Sequence, residues 1–209
     1  MMVSRRTLGT WLVGLAWLGV VGVGMNLLWG YAKKPGKAAS ADGTWPASTR
    51  ITRITRIPGR PTLVMLAHPH CPCTRASVAE LARLMARVEG RVDAYVLFLR
   101  PAGIEEGWEQ TDLWRSAAAI PGVRVVADPD GEEAARFGAA TSGQTVFYDA
   151  SGRLRFAGGI TAARGHQGDN LGEAVIAALV KDAHAAAALA TTPVYGCGLH
   201  DPEPRGGTR

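Results

Sequence analysis

Charged side chains are missing from Thr7 to Ala32, a run of 26 residues rich in Leu, Val and Gly. At 1.5 Å rise per residue such a run exceeds the ~20 residues needed to cross the hydrocarbon core of a bilayer. Trp11 lies near one end and Trp29 and Tyr31 near the other, where interfacial aromatic belts form. The pattern predicts a single uncleaved transmembrane anchor over residues 7–32, after a short N-terminal segment, 1–6. A cleaved signal peptide is the rival reading, with an apolar region of only ~7–15 residues ending in a small-residue site. Here the run is longer, and the nearest Ala-rich stretch, residues 38–41, lies beyond Lys33 and Lys34. Glycines 14, 19, 22 and 24 never fall four apart, so the span carries no Gly-x-x-x-Gly dimer motif.

Beyond the span the pattern changes. Residues 33–48, with Lys, Pro, Gly, Ala and Ser, read as a linker. Residues 50–57 repeat an Arg-Ile-Thr triplet that fits neither helix nor strand periodicity well, and are assigned as a weak edge strand. Residues 61–67 form a short apolar run of the buried-strand kind, ending at His68-Pro69-His70-Cys71-Pro72-Cys73. Val78, Leu81, Ala82, Met85 and Val88 then recur at the spacing of an amphipathic helix that stops at Gly90. A second apolar run, 92–99, precedes a helix through Trp108, Leu113 and Trp114 that ends before Pro121. A third strand, 123–127, leads through an Asp-Pro-Asp-Gly turn into a short helix, 132–138. Residues 144–148 and 154–157 flank the turn 149–152 as a hairpin. Asn170 with Glu173 opens a final Ala-rich helix to about residue 190. Strands alternating with helices and closing in a hairpin predict an α/β domain with a mixed sheet over 49–190, followed by a tail, 191–209, that holds Cys197.

The net charge is +5, and Arg5, Arg6, Lys33, Lys34 and Lys37 account for all of it, leaving 18 basic against 18 acidic residues from position 38 onward. A neutral domain with no basic cluster interleaved with aromatics excludes a nucleic-acid partner. Two arginines precede the span and three lysines follow it, so the positive-inside count is undecided. Ser4-Arg5-Arg6-Thr7-Leu8 looks like a loose twin-arginine export signal. With the short N-terminus, it places the domain on the periplasmic or outer side of the inner (cytoplasmic) membrane.

Three cysteines in 209 residues do not make a disulfide-stapled scaffold. Cys71 and Cys73 flank Pro72 at a predicted helix N-terminus, where the helix dipole and unpaired N–H groups favour the thiolate. A disulfide between them would close a strained, easily reduced ring, suited to exchange rather than to holding a fold; the bland alternative is two inert buried thiols. Cys197, in Gly196-Cys197-Gly198, is a resolving thiol, a third metal ligand or a passive tail residue. A Cys-x-Cys pair beside His68, His70 and His200 also suits a soft ion such as Cu(I), held by Cys71, Cys73, His70 and Cys197. Otherwise the histidines tune the cysteine pKa or cap a turn. Arg164 and His166 either face the cysteines or belong to a loop that leads into the last helix, while Trp108 and Trp114 read as packing residues.

A cysteine pair where a strand opens a helix, in the order β-α-β-α-β-α-β-β-α, resembles the thioredoxin-like superfamily, in particular its membrane-tethered, extracytoplasmic branch. Cys71-Pro72-Cys73-Thr74-Arg75-Ala76 is similar to the Cys-Pro-Pro-Cys-Arg-Ala motif of those reductases with one residue deleted. Residues 128–131, Phe137-Gly138, 146–149 and 152–154 are similar to that branch's second half. More narrowly, residues 158–161, Arg164-Gly165-His166, 168–170 and 194–197 resemble RedB-type bacterial proteins. The resemblance implies a thiol–disulfide oxidoreductase acting on protein thiols, with Cys71 as nucleophile, Cys73 or Cys197 resolving, and no cofactor; the alternative is a copper chaperone of the same fold. Two departures stand out: one residue rather than two between the cysteines, and Gly143 where the family has a cis-proline facing them. At that position a proline is expected to leave the global fold intact.

Overall fold

The computed structural model describes residues 5–37, 40–46, 54–182 and 189–199. The chain divides into two units, Met1–Lys34 and Pro35–Arg209. The first is a helix, α1 (Arg5–Lys33). Its stretch Gly9–Lys33 is long and apolar enough to cross a membrane, and none of its apolar window is buried against protein. Trp11, Trp17, Leu27, Trp29 and Tyr31 are all exposed. A helix that is apolar all round is consistent with a membrane anchor or an export signal.

The second unit is a six-stranded sheet in the order β3-β2-β1-β4-β5-β6. The strands are β1 (Thr62–Ala67), β2 (Asp93–Arg100), β3 (Val123–Pro129), β4 (Gln144–Tyr148), β5 (Leu154–Gly159) and β6 (Ala190–Thr191). Every residue of β1 is buried, and all of β2 except its two ends. Continuous apolar runs of this kind suit parallel strands covered on both faces, and β1, β2 and β3 are parallel. β4 runs antiparallel to β1 and to β5. Helices α2 (Thr74–Val88), α3 (Asp112–Ala118) and α5 (Leu171–Lys181) pack on one face around Leu81, Leu84, Phe98, Phe147 and Ile176. The other face carries α4 (Glu132–Arg136) and a core of Ile54, Tyr95, Phe137, Tyr148 and Leu199. This is a thioredoxin-like fold.

Several local expectations shift. Residues 54–57 are not a strand, and 50–53 lie outside the described residues. The triplet lacks the alternation a strand needs, and Ile54 instead plugs the second core at 1% exposure. Trp108 precedes α3, which starts only at Asp112, because the chain turns through Gly107 at φ +92°. α5 ends at Lys181, with Asp182 extended; the rest of the expected helix, 183–188, lies outside the described residues. β6 was not foreseen: two residues leave no periodic pattern. Part of the expected linker is held on the domain. Trp45 packs edge-on against Phe137 and Tyr148, both at 5.2 Å, and Thr44 bridges to Arg153.

Candidate functional site

β1 stops at Ala67, and the chain turns through His68–Cys73 before α2 begins at Thr74. The turn closes with the Cys71 N–H donating to the His68 carbonyl at 3.2 Å and the Thr74 N–H donating to the Cys71 carbonyl at 3.1 Å. Cys73 is the N-cap residue of α2, without a side-chain cap bond. Pro72 fits just before the helix, where its missing N–H costs no ladder bond. Cys71 is 1% exposed, Cys73 half-buried and Pro72 exposed.

A second strand of backbone completes the site from the far end of the sequence. β4 pairs antiparallel with β1, its Gln144 opposite Leu66. The loop 140–143 that leads into β4 therefore lies at the C-terminal end of β1, beside the cysteine turn. Residues 196–199 pair with this loop. The Ser142 N–H donates to the Cys197 carbonyl at 2.8 Å, and the Leu199 N–H donates to the Ala140 carbonyl at 2.9 Å. The pairing sets the Cys197 sulfur 3.0 Å from that of Cys71, with the Cys197 N–H donating to the Cys71 sulfur at 3.4 Å. All three cysteines are free.

The electrostatics separate the three thiols. Burial opposes a charge on Cys71. It is outweighed by hydrogen bonds from the Thr74 hydroxyl, the Cys197 thiol and the backbone N–H groups of Cys197 and Thr74, so the Cys71 pKa falls below the ordinary thiol value. Cys73 moves the other way, through burial and the neighbouring Cys71 charge, with Arg164 opposing. Cys197 is pushed up to about 12 by burial, by its hydrogen bond to Cys71 and by the charges of Cys71 and Cys73. Of the three, Cys71 is the thiol most readily ionised.

A line of hydrogen bonds supports it. The His68 N–H donates to the Ser142 hydroxyl at 2.7 Å, and the Ser142 and Thr74 hydroxyls are 2.6 Å apart. With the single Thr74 hydroxyl proton directed at the Cys71 sulfur, the Ser142 proton goes to Thr74, and each hydroxyl donates once. Arg164 reaches the same place from the loop before α5, its Nη1 donating to the Gly196 carbonyl at 2.7 Å and its charge favouring a thiolate at Cys73. That loop is tied to α2 by the buried Glu80, which accepts from the Gly168 N–H at 2.7 Å and from Arg83 at 2.6 Å. Asn170 also caps α5 by accepting from the Glu173 N–H at 2.8 Å. The 164–170 loop thus serves both roles, with His166 exposed.

The histidines of the turn face Trp108. The His70 ring is 4.4 Å from it and the His68 ring 5.8 Å. His200 lies outside the described residues. Among the described residues no group of three or more His, Cys, Asp or Glu side chains is gathered as a metal site. The expectation for Gly143 needs correction. Gly143 has φ +88°, its N–H donates to the Leu66 carbonyl at 2.7 Å, and a Cβ there would meet the Ser77 hydroxyl at 2.7 Å. A proline fixes φ near −65° and has no N–H, so it breaks the joint between this loop and β1 rather than leaving the fold intact. The sequence also held no cue to Ser142, whose role depends on the pairing of β1 with β4.

The whole arrangement is similar in fold to an uncharacterized conserved protein from Geobacillus kaustophilus, with TM-score 0.55 and 19% identity over 82% of this chain and 94% of that one. It is likewise similar to the hypothetical protein SMc02350 from Sinorhizobium meliloti 1021, with TM-score 0.52 and 22% identity over 68% of this chain and 79% of that one. A secreted Mycobacterium tuberculosis disulfide oxidoreductase homologous to E. coli DsbE is more distant, with TM-score 0.42 and 17% identity over 59% of this chain and 82% of that one. At these identities the likeness is one of fold. No family model matches the chain. No curated protein matches it.

Proposed function

We propose that the protein is a membrane-tethered thiol–disulfide oxidoreductase, with its domain on the extracytoplasmic side and with Cys71 and Cys197 as its redox pair. The observation that carries this is the 3.0 Å approach of the two sulfurs, needing only about 1 Å of closure to reach the ~2.05 Å of a disulfide bond. The nucleophile is Cys71, the thiol whose ionised form is favoured, and it reacts as the thiolate. It attacks one sulfur of a protein disulfide, forming a mixed disulfide and expelling the other substrate sulfur as a thiolate, which takes up a proton. Cys71 then carries no charge, so its contributions to the raised Cys197 pKa disappear. Cys197, deprotonated, attacks the Cys71 sulfur and releases the second substrate thiolate. Two electrons pass from the two sulfurs to the substrate, with one proton from Cys197 and the other from solvent, leaving a Cys71–Cys197 disulfide; the reverse sequence oxidises a substrate dithiol. The reducing equivalents for the next turn come from an external dithiol.

The narrower RedB-type resemblance joins this reading through Arg164 and Cys197, two residues of its motifs that meet at the Gly196 carbonyl. The test is trapping in cells followed by mass spectrometry. Cys197→Ser should accumulate mixed disulfides on Cys71, Cys71→Ser should form none, and Cys73→Ser should still turn over. A trap seen in Cys73→Ser and absent from Cys197→Ser would transfer the resolving role to Cys73 and overturn the assignment. Location is tested separately, by fusing a periplasmic reporter at the C-terminus, which should be active.

A further inference from the structure

The last described residues do more than deliver a sulfur. Thr141 and Gly198 form an antiparallel bridge, framed by the two backbone hydrogen bonds from Ser142 and Leu199. This is strand addition to an open backbone edge, in which main-chain pairing supplies affinity and side-chain slots supply selectivity. Two positions of the segment are constrained. Leu199 is 2% exposed and belongs to the second core. Gly196 has no slot at all, because a Cβ there would sit on the Ser142 carbonyl oxygen. Its own carbonyl is held by Arg164. With this segment in place Cys71 is 1% exposed, and an external disulfide has no path to its sulfur.

We propose that the edge at residues 140–142 is the docking site for an extended protein segment with glycine immediately before its cysteine and an apolar residue two positions after it. Residues 196–199 are the chain's own occupant of that site, which a substrate segment displaces. The inference rests on the thiol-exchange reading for what happens to the sulfur, while docking itself requires only the backbone pairing, the Leu199 slot and the close approach at Gly196. Because the resident segment is tethered, it competes at a roughly millimolar effective concentration, so an external segment gains the site only at comparable concentration or when the tail is loosened. Selectivity falls on the residue before the cysteine, where the obstruction is main chain and does not move aside.

The test uses the reduced full-length protein in detergent and a synthetic peptide of residues 194–199 with serine in place of the cysteine, so that no covalent step enters. The readout is the alkylation rate of Cys197, followed by mass spectrometry. The peptide should raise that rate several-fold in a saturable manner by freeing the tail, and the same peptide with alanine in place of the glycine before the serine should not. Gly196→Val, checked by a cooperative melt, should show the fast rate without peptide and bind the labelled peptide at least tenfold more tightly than the unaltered chain. If the glycine peptide leaves the rate unchanged up to its solubility limit, or the two peptides act alike, the proposal is overturned, and neither result depends on the variant folding. Failure of the Cys197→Ser trap with peptide competition intact would sink the exchange reading and leave the docking site. The converse would remove the docking site and leave exchange.

Discussion

Cys71 owes its lowered pKa to groups that the helix N-terminus alone does not provide. The thiolate gathers the Thr74 hydroxyl and two backbone N–H groups, one of them from Cys197. Hydrogen bonds to a charged group are worth about 1.5–3 kcal/mol each, enough to overcome the burial that opposes the charge. The lowered pKa means that the stabilisation from this group is present above the unfolded value of ~8.5 and is lost as pH falls through the folded value. Thr74→Val removes the donor, so ultraviolet titration of thiolate absorbance should show the first deprotonation step moving to higher pH. Ser142→Ala should move it in the same direction but less, since it only deprives Thr74 of its own donor. A first step unchanged in Thr74→Val would mean that the hydroxyl does not serve the sulfur. From the sequence, the helix N-terminus favours a thiolate at both Cys71 and Cys73, and Cys71 is the expected low-pKa nucleophile. The environment splits them, because Cys73 is raised by burial and by the charge on Cys71, while hydrogen bonds outweigh burial at Cys71.

The element that closes the sheet beside the site is the β4–β5 hairpin, organised by one carboxylate. Asp149 accepts from the Ser151 N–H at 2.9 Å, the Ser151 hydroxyl, the Arg153 N–H at 3.1 Å and Arg153 Nε at 3.3 Å. Burial works against its charge, but these bonds and the Arg153 charge bring its pKa down to about 2. A carboxylate with a depressed folded pKa contributes stability above its unfolded value of ~3.9 and loses it as pH drops toward the folded value. The contribution is about 2 kcal/mol for a shift of this size. Urea melts of Asp149→Asn should therefore show about 2 kcal/mol less stability than the unaltered protein at neutral pH. The difference should shrink between about pH 4 and pH 2. A difference that stayed constant with pH would place the effect in the turn geometry rather than in the charge. This element was legible beforehand, since Asp-Ala-Ser-Gly between two alternating apolar runs is a turn with its own local chemistry. β6 and the packing of Trp45 were not, because neither has a periodic signature of its own.

Across the whole molecule the proposed redox pair joins positions 126 residues apart. Closing so long a loop removes much unfolded-chain entropy, about 4–5 kcal/mol in the chain-entropy account. Part of that is already secured by Leu199 and the backbone pairing of the tail. The oxidised protein should accordingly melt well above the reduced one. Cys197→Ser should abolish that difference and Cys73→Ser should retain it, as read by calorimetry with and without reductant. No difference between oxidised and reduced unaltered protein would instead indicate a Cys71–Cys73 bond, which closes too short a loop to matter for stability.

By itself the sequence determined whatever follows from local composition and period. An apolar run of membrane length makes α1, a buried strand running into an amphipathic helix makes the β1-turn-α2 unit, and a helix N-terminus singles out Cys71 and Cys73. These are legible because each rests on main-chain hydrogen bonding and burial within one stretch of chain. The tertiary structure alone decided the rest. It made Cys197 the neighbour of Cys71, set Ser142 behind the Thr74 hydroxyl, brought Arg164 to the Gly196 carbonyl and excluded proline at Gly143. Each depends on β4 lying antiparallel beside β1, which carries the 140–143 loop to the cysteine turn and leaves a backbone edge for the tail to cover. No spacing in the sequence encodes that adjacency, because it is set by which strand order buries both faces of the sheet.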